Sequence, residues 1–345
     1  MKWTIRLIAV LLAAGTWVAW DNWGRFIHIP PPVVSKQKTP PMQDTLARGE
    51  YLNRVGGCVA CHTAKSGEPM AGGRRIDTPF GAVFSSNLTS SKIFGLGEWT
   101  AADFQNALHW GRSRGGRLLL PVFPYNHTSV FTDDDVAAMF AWLQTVRPVE
   151  SAQPAHRLTW PLGTQPVIAL WRSLFFTPMP FKANDNESAV WNRGAYLVQS
   201  AGHCAACHGQ RNALGSFPAV DDLSGGMLSP QLWFAPSLLD TTQTSLGQNS
   251  PDDIALLLRA GQNHSSVATG PMAEFVQQTG QYLSAQDAQA IAVYLKSRTG
   301  PTTPVVHAPI AVLASSSPAA QALYEQHCAT CHGKDGQGKA NQYPA

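Results

Sequence analysis

The sequence has little charge and lacks the short motifs of nucleotide-dependent or hydrolytic enzymes. Only 14% of the 345 residues are Asp, Glu, Lys or Arg, and the net charge is +3. A highly charged disordered chain and a nucleic-acid-binding protein with a basic stripe are therefore both disfavoured. We find no glycine-rich dinucleotide fingerprint, no phosphate-binding loop and no Ser/His/Asp arrangement. The sequence therefore shows no sign of a catalytic centre that converts a substrate. Its 44% hydrophobic content is enough to form the hydrophobic cores of folded domains.

Cysteine is also scarce, but all six cysteines fall into one repeated pattern, Cys-x-x-Cys-His. The three units are Cys58, Cys61 and His62; Cys204, Cys207 and His208; and Cys328, Cys331 and His332. This pattern attaches c-type haem, because the two thiols form thioethers with the haem and the adjacent histidine ligates the iron. A redox dithiol would need a thioredoxin-like context, and a zinc site would need a second cysteine pair in each domain. We therefore predict three covalently attached haem c groups.

The N-terminal segment, residues 1–29, is predicted to direct the protein out of the cytoplasm. Lys2 and Arg6 precede an uncharged run from Leu7 to Trp20. This run is short for a membrane-spanning helix, which needs about 20 apolar residues, and its length is typical of a signal peptide. The segment offers poor small-residue cleavage positions, however, and its tryptophans suit the interfacial belts of a membrane. We favour an uncleaved anchor over a cleaved signal, and either places the protein on the periplasmic face of the inner membrane.

Proline-rich segments divide the rest of the chain into three blocks, each with one haem motif. We predict linkers at 30–43, 151–187 and 301–316, and domains at 44–150, 188–300 and 317–345. The last block has a haem motif but ends at Ala345, too soon for the elements that follow the motif in the other two blocks. We therefore expect two complete domains and a truncated third.

The first two blocks repeat the same helix signals. An Arg-Gly-x-Tyr-Leu sequence precedes the haem motif in each block, at 48–52 and 193–197. Downstream, a Ser or Thr followed three residues later by an acidic residue marks the start of a middle helix and of a closing helix. No comparable alternating strand pattern appears. We therefore predict an all-α fold in which a motif helix, a middle helix and a closing helix follow one another in each block.

The sixth iron ligand should come from the loop before the closing helix. In the second block this loop contains Met272, and a methionine opposite histidine raises the reduction potential of a haem. We favour Met272 over Met227, which lies closer to the motif. In the first block the loop has no methionine, so His127, Met70 and an open position all remain alternatives. Neither Met nor His follows His332 in the third block.

Six segments, taken in order, resemble a known family, the triheme cytochrome c subunit of bacterial membrane-bound periplasmic dehydrogenases. They are RGEYLNRVGGCVACHTAKSGEPMAGG, TPFGAVFSSNLTSSKIFGLGEWTAADF, LPVFPY, NRGAYLVQSAGHCAACHGQRNALG, GPMAEFVQQTGQYLSAQDAQAIAVYLKS and LYEQHCATCHGKDGQGKANQYPA. The resemblance covers nearly everything from Asp44 to Ala345. It implies tandem class I cytochrome c domains that take electrons from a catalytic subunit of the PQQ, flavin or molybdenum type. It also implies ubiquinone or a terminal oxidase as the acceptor.

One departure from the family affects the first haem. Phe123-Pro124-Tyr125 stands where the family usually has Met-Pro-Tyr, so a methionine ligand cannot be carried over. Members with Phe at this position and a His shortly after it resemble those paired with molybdenum hydroxylases, which slightly favours such a partner. We predict an electron-transfer subunit without catalytic residues. The rival hypotheses are a multihaem enzyme of the peroxidase or thiosulfate-oxidising type, using an open first haem, and a freestanding electron carrier.

Overall fold

Helices dominate the computed structural model, which describes residues 2–24, 42–216, 219–230, 232–241, 244–300 and 317–336. The chain is not all-α, however, because short strands form one three-stranded and one two-stranded sheet in the described residues. The predicted linker at 301–316 lies outside the described residues, and so does the linker at 30–43 except for its last two residues. No helix in the described ranges combines the length and the apolar character that a membrane crossing requires.

The N-terminal and first-block elements follow one another in the predicted order, with a hairpin inserted after the haem motif. Helix α1 continues into a π-helical turn at Trp20–Gly24. The elements are α1 Lys2–Ala19, α2 Met42–Val55, α3 Cys58–His62, β1 Arg75–Thr78, β2 Gly81–Phe84, α4 Ala101–Trp110, α5 Tyr125–Thr128 and α6 Asp133–Leu143. Strands β1 and β2 pair antiparallel. With four residues each, they are too short to produce a visible alternation in the sequence.

The later elements include a helix within the segment that was predicted to be a linker. The elements are β3 Arg157–Leu158, α7 Gln165–Phe175, α8 Ala189–Gln199, α9 Ala205–His208, β4 Gly226–Leu228, β5 Trp233–Ala235, α10 Pro251–Ala260, α11 Gly270–Gln278, α12 Ala285–Arg298, α13 Pro318–His327 and α14 Ala329–His332. Strand β3 adds to β2 as the third strand of its sheet. The segment 151–187 therefore contributes a strand and a helix to the described structure.

The predicted helix caps are present. Thr100 accepts a hydrogen bond from the backbone N–H of Asp103 at 3.1 Å, and the Asp103 carboxylate accepts one from the Thr100 N–H at 2.9 Å. The same reciprocal box opens α10. The side-chain oxygens of Thr132 and Ser284 accept from the N–H of Asp135 and Asp287 and so cap α6 and α12. Gly111 ends α4 in the left-handed conformation, with φ of 56°, which glycine adopts without strain.

Each block is closed by the packing of its first helix on its last helix, α2 on α6 and α8 on α12. Gly49 lies at the first crossing, where a Cβ atom would overlap the carbonyl oxygen of Ala138. Gly194 lies at the second crossing, where a Cβ would overlap the carbonyl oxygen of Ala290. The glycine of the repeated Arg-Gly-x-Tyr-Leu sequence therefore lets the two helix backbones approach closely.

Candidate haem-binding sites

The first haem motif forms the short helix α3, and its histidine is oriented by a backbone carbonyl. Gly57 precedes the helix with φ of 67°, a turn that favours glycine. The Nδ1 atom of His62 lies 2.7 Å from the carbonyl oxygen of Ser86. Because a carbonyl oxygen only accepts, Nδ1 carries the proton and Nε2 is left as a metal ligand. Metal-ligating histidines commonly have such a partner on the second ring nitrogen.

The second motif has the same geometry. The Nδ1 atom of His208 lies 2.8 Å from the carbonyl oxygen of Pro236. The backbone carbonyl of each motif histidine also accepts a hydrogen bond from a glycine later in the chain. Gly72 donates to His62 at 2.8 Å, and Gly225 donates to His208 at 2.6 Å. Two unconnected segments thus present a histidine Nε2 in the same way, which fits axial ligation of a haem iron.

The protonation states of these side chains also fit haem attachment. Burial lowers the pKa of His62 and of His208, which keeps both rings in the neutral form that binds metals. Burial raises the pKa of Cys58 to about 12 and that of Cys204 to about 12. A redox dithiol needs the opposite shift, because its thiolate is the reactive form. The described residues contain no group of three or more His, Cys, Asp or Glu side chains suited to a bare metal ion.

The third motif follows helix α13 and forms the short helix α14. The N–H of His332 donates to the carbonyl oxygen of Cys328 at 2.9 Å, much as the N–H of His208 donates to that of Cys204 at 2.8 Å. The Tyr324 hydroxyl donates to the carbonyl oxygen of Gly333 at 2.7 Å and closes the end of the motif onto α13. The local helical form of the motif is therefore the same as in the second block.

Of the two methionines considered for the second haem, Met272 has the more suitable position. It lies in the first turn of α11, rather than in an extended loop, and packs against the hydrophobic core. Met227 lies on strand β4 and is 53% exposed. It also comes two residues after Gly225, whose N–H donates to the carbonyl oxygen of His208, the histidine of the second motif. An axial ligand should be shielded from water and opposite the histidine, so Met227 is disfavoured.

Met70, one of the candidates for the first haem, lies in the loop that follows His62, the histidine of the first motif. Its N–H donates to the Thr63 hydroxyl at 3.1 Å, directly after His62 in the chain. Its carbonyl oxygen accepts from the N–H of Leu88 at 2.8 Å, close to the Ser86 carbonyl that orients His62. The side chain is 2% exposed and belongs to the core. Because the sixth ligand must come from the opposite face, this position disfavours Met70.

His127, the other candidate, lies where the first block meets the second. It is fully buried in α5, and its Nδ1 lies 2.7 Å from the carbonyl oxygen of Gln199 at the end of α8. Its ring centroid is 6.1 Å from that of His203, the residue before Cys204. Burial, together with the nearby His203, lowers the pKa of His127 to about 3 and keeps the ring neutral. The structure thus brings His127 together with residues just ahead of the second haem motif.

The two haem motifs are neighbours across this contact between the blocks. A Cβ atom placed on Gly57, just before the first motif, would lie 3.6 Å from the Nε2 of His203, just before the second. Arg74 donates to the carbonyl oxygen of Ala60, within the first motif, at 2.6 Å. The same guanidinium forms an ion pair with Glu274 on α11 of the second block. These contacts hold the two motifs side by side.

Sequence reasoning missed the residues that join the two blocks, although the repeat contained them. Asp287 of α12 accepts from the Tyr51 hydroxyl of the first block at 2.6 Å. It also forms a two-point ion pair with Arg193 of its own block, at 2.8 and 2.7 Å. Burial opposes ionisation, yet the hydrogen bonds from Arg193 and Tyr51 hold the pKa of Asp287 below its usual value.

The mirror-image contact occurs at Asp135 of α6. This carboxylate is 1% exposed and accepts from Arg48 of its own block at 2.5 Å. It also accepts a hydrogen bond from the Tyr196 hydroxyl of the second block. The Arg and Tyr of each Arg-Gly-x-Tyr-Leu sequence therefore have defined partners, the arginine within its block and the tyrosine across the interface. Their recurrence in both blocks was the signal that could have identified them.

Removing either tyrosine hydroxyl should weaken this interface. We expect Tyr51→Phe and Tyr196→Phe each to lower the free energy of unfolding by about 1–3 kcal/mol, because a buried carboxylate loses a donor. Denaturant unfolding of the haem-loaded protein measures the effect. The control is Tyr282→Phe, at a residue that is 41% exposed. This change should alter stability by less than about 0.5 kcal/mol. Unchanged stability in both interface variants would show that the reciprocal contacts contribute nothing.

Comparison with known proteins agrees with this geometry. No protein-family model matches the chain. The gluconate 2-dehydrogenase cytochrome c subunit of Pantoea cypripedii is 37% identical over 304 residues, 84% of this chain and 69% of that protein. The cytochrome c subunit of the quinone alcohol dehydrogenase of Gluconacetobacter polyoxogenes is 36% identical over 330 residues, 89% of this chain and 69% of that protein. A diheme c-type cytochrome of Cereibacter sphaeroides is 35% identical over 257 residues, 72% of this chain and 84% of that protein.

The motifs, the helical fold and these relatives define a c-type cytochrome. The chain belongs to the family of cytochrome c subunits of membrane dehydrogenases. These relatives are named as the cytochrome subunits of dehydrogenases, so the prediction of an electron-transfer subunit rather than an enzyme is confirmed. The rival hypothesis of a multihaem enzyme is not favoured.

Proposed function

We propose that this chain takes electrons from the catalytic subunit of a periplasmic dehydrogenase and carries three haem c groups, one on each motif. The observation that supports the proposal most is the shared geometry of His62 and His208, each with Nδ1 bonded to a backbone carbonyl. The names of the relatives support a dehydrogenase partner. The partner cofactor, PQQ, flavin or molybdenum, and the acceptor, ubiquinone or a terminal oxidase, belong to the same proposal.

The residues of each block have distinct roles in this proposal. A bound haem c supplies one-electron redox chemistry. Cys58 and Cys61 would hold it covalently, and His62 would present Nε2 to the iron in an orientation fixed by the Ser86 carbonyl. Cys204, Cys207 and His208 would do the same in the second block, and Cys328, Cys331 and His332 in the third. No acid, base or nucleophile is required, because electron transfer moves no protein proton.

The proposed domain organisation is a cytochrome c domain at 44–150, a second at 188–300 and a third haem-binding segment from residue 317. We place all of them on the periplasmic face of the inner membrane, attached through the N-terminal segment. One relative is named as a diheme cytochrome, so the number of haems is the part of the proposal that is easiest to test. Haem content per chain should be three, and Cys328→Ser with Cys331→Ser should lower it to two. A wild-type content of two would restrict haem attachment to the first two blocks.

The proposed axial role of Met272 predicts a change in redox potential. We expect Met272→Ala to lower the midpoint potential of one haem by on the order of 0.1 V, a fraction of the roughly 0.8 V that axial ligands span. A potentiometric titration followed by visible absorbance measures the change. Met227→Ala, at the exposed position on β4, is the matched control and should leave every potential in place. If Met272→Ala also leaves them in place, Met272 is a core residue and not a ligand.

The experiment that tests the proposed function is gentle solubilisation of the protein from its native membrane, with identification of what co-purifies. A large subunit with a PQQ, flavin or molybdenum cofactor, present in fixed ratio to the cytochrome, is the expected result. Alcohols, sugar acids, aldehydes and N-heterocycles, added one at a time, should then identify one class that reduces the haems. If no stoichiometric subunit appears and no substrate class reduces the haems, the chain is a freestanding carrier.

A further inference from the structure

The end of the N-terminal helix is built into the body of the protein. Asn22, in the π-helical turn after α1, is 1% exposed. Its Nδ2 donates to the carbonyl oxygen of Ala169 at 3.0 Å and to the Ser173 hydroxyl at 2.8 Å, both on α7. A buried amide with several hydrogen bonds to a distant helix is a specific packing contact. The turn at 20–24 is therefore docked on α7.

Asn22 in turn accepts hydrogen bonds from two arginines of the folded domain. Arg172 of α7 is 2% exposed, and its Nε donates to the Oδ1 of Asn22 at 3.0 Å. The same guanidinium donates to the carbonyl oxygen of Trp110 at 2.7 Å and stacks on the ring of Tyr125, 5.0 Å from its centroid. Arg112 donates to the backbone carbonyl of Asn22. Loss of Asn22 would leave the buried Arg172 short of an acceptor, which is destabilising.

Apolar packing makes the same connection. Leu118, Ile168 and Ala169 form a small buried core, separate from the main one, and Val18 of α1 packs against it. Residues 18–22 therefore contribute an apolar contact, through Val18, and polar contacts, through Asn22, to the packing between α7 and the first block. A signal peptide that is cut off after export would not be expected to complete the fold of the mature domain.

The remainder of this region exposes apolar side chains that the described protein does not cover. Leu170 and Leu174 of α7 are 47% and 55% exposed. Ala169 and Ser173, which bond to Asn22, lie four residues apart and therefore share one face of α7. Leu170 and Leu174 each come one residue later and form the neighbouring stripe of the same helix. On α1 and its turn, Trp17 and Trp20 are 45% and 59% exposed. Tryptophan next to an exposed apolar surface is typical of a membrane interface.

We propose that the N-terminal segment is retained in the mature protein and that it forms, with the Leu170 and Leu174 stripe of α7, one surface that is covered by lipid. Lipid is the occupant that fits, because the run from Leu7 to Trp20 contains no charge and continues directly into the docked turn. This inference rests on the proposed membrane location. It does not depend on electron transfer, so it can fail while the proposed function stands.

Retention is tested on the haem-loaded protein purified from its native membrane, by intact mass and N-terminal sequencing. We expect a mature chain that includes Asn22. A mature N-terminus beyond Asn22 overturns the proposal. As a second readout, Asn22→Ala should speed proteolytic release of the N-terminal segment about tenfold or more, with an unchanged haem spectrum. Asn186→Ala, at an exposed position, is the matched control, and equal release rates in the two variants would count against the docking.

Lipid contact is tested by flotation of the full chain with vesicles of phosphatidylethanolamine and phosphatidylglycerol. We expect Leu170→Asp with Leu174→Asp to reduce the vesicle-bound fraction about tenfold, since burial of these side chains would contribute to binding. Leu256→Asp, at a 50% exposed position on α10, should have no effect. Equal binding of the double variant and the wild type overturns the proposal. The proposal is also overturned if the wild type does not bind vesicles and the purified catalytic subunit binds it through Leu170 and Leu174 instead.

Discussion

Replacing His208 with alanine is expected to remove the normal low-spin haem of the second site. The Nδ1 of His208 lies 2.8 Å from the carbonyl oxygen of Pro236, which orients the ring and leaves Nε2 as the atom that could ligate the iron. Without it, the iron loses its proximal ligand, and either haem attachment fails or the iron gains an open position. The expected result is the loss of one haem's low-spin absorbance per chain, or carbon monoxide binding at that site. His62→Ala should do the same at the first site.

A matched control separates ligation from general damage. His264 is mostly exposed, and its Nδ1 lies 3.0 Å from the carboxylate of Asp253. We expect His264→Ala to keep the full haem content and absorbance of the wild type. If His208→Ala also keeps them and binds no carbon monoxide, His208 is not an axial ligand, and the geometric argument for both proximal histidines fails.

Replacing Gly194 with valine is expected to lower the free energy of unfolding by about 3 kcal/mol or more, at the upper end of the range for overpacking. The reason is that even a Cβ at this position would overlap the carbonyl oxygen of Ala290. Because that atom is backbone, α8 and α12 would have to move apart, and the packing of the second block would be lost. Gly49→Val should have the same effect on α2 and α6, where the overlap is with Ala138.

The control for the glycine variants is Gly115→Ala. A Cβ at Gly115 would meet nothing within 4 Å, so this change should leave stability within about 0.5 kcal/mol of the wild type. Thermal unfolding of the haem-loaded proteins, followed by far-ultraviolet circular dichroism, compares the two valine variants and the control with the wild type. A Gly194→Val variant that unfolds at the wild-type temperature would mean that the two helices do not cross at this residue.

Features with local causes could be predicted from the sequence. The cap at Thr100 and Asp103 depends on two residues three apart, and the haem motifs depend on five consecutive residues. The hairpin of β1 and β2 could not be predicted in this way, because strands of four residues show too little alternation. Helix α7 was missed because prolines flank it and its partners, such as Asn22, lie about 150 residues away in the chain.

The axial positions show the same limit. Sequence position identified Met272 as a candidate but could not show on which side of a haem each residue lies. Met70 follows His62 closely in the chain, and the backbone contacts of its loop, with Thr63 and Leu88, keep it close to His62 and Ser86. The environment of His127 is set by Gln199, 72 residues later in the chain. Contacts of this kind depend on how the two blocks meet, which local patterns do not encode.

The contact between the blocks has a functional consequence. Tyr51 and Tyr196 reach across it in opposite directions to two carboxylates. Gly57 and His203, which precede the two haem motifs, face each other at the same contact. Electron transfer between two sites depends steeply on their separation, so an interface that fixes this separation favours rapid exchange between them. We therefore expect the first two blocks to act as one electron-transfer unit.

The central claim is that this cytochrome receives its electrons from a separate catalytic subunit. The most direct measurement is haem reduction after addition of substrate to the complex purified from its native membrane, compared with the same addition to the isolated cytochrome. We expect the haems of the complex to become reduced and those of the isolated chain to stay oxidised until the catalytic subunit is added back. Oxidation of a substrate by the isolated chain, with reduction of its haems, would contradict the claim.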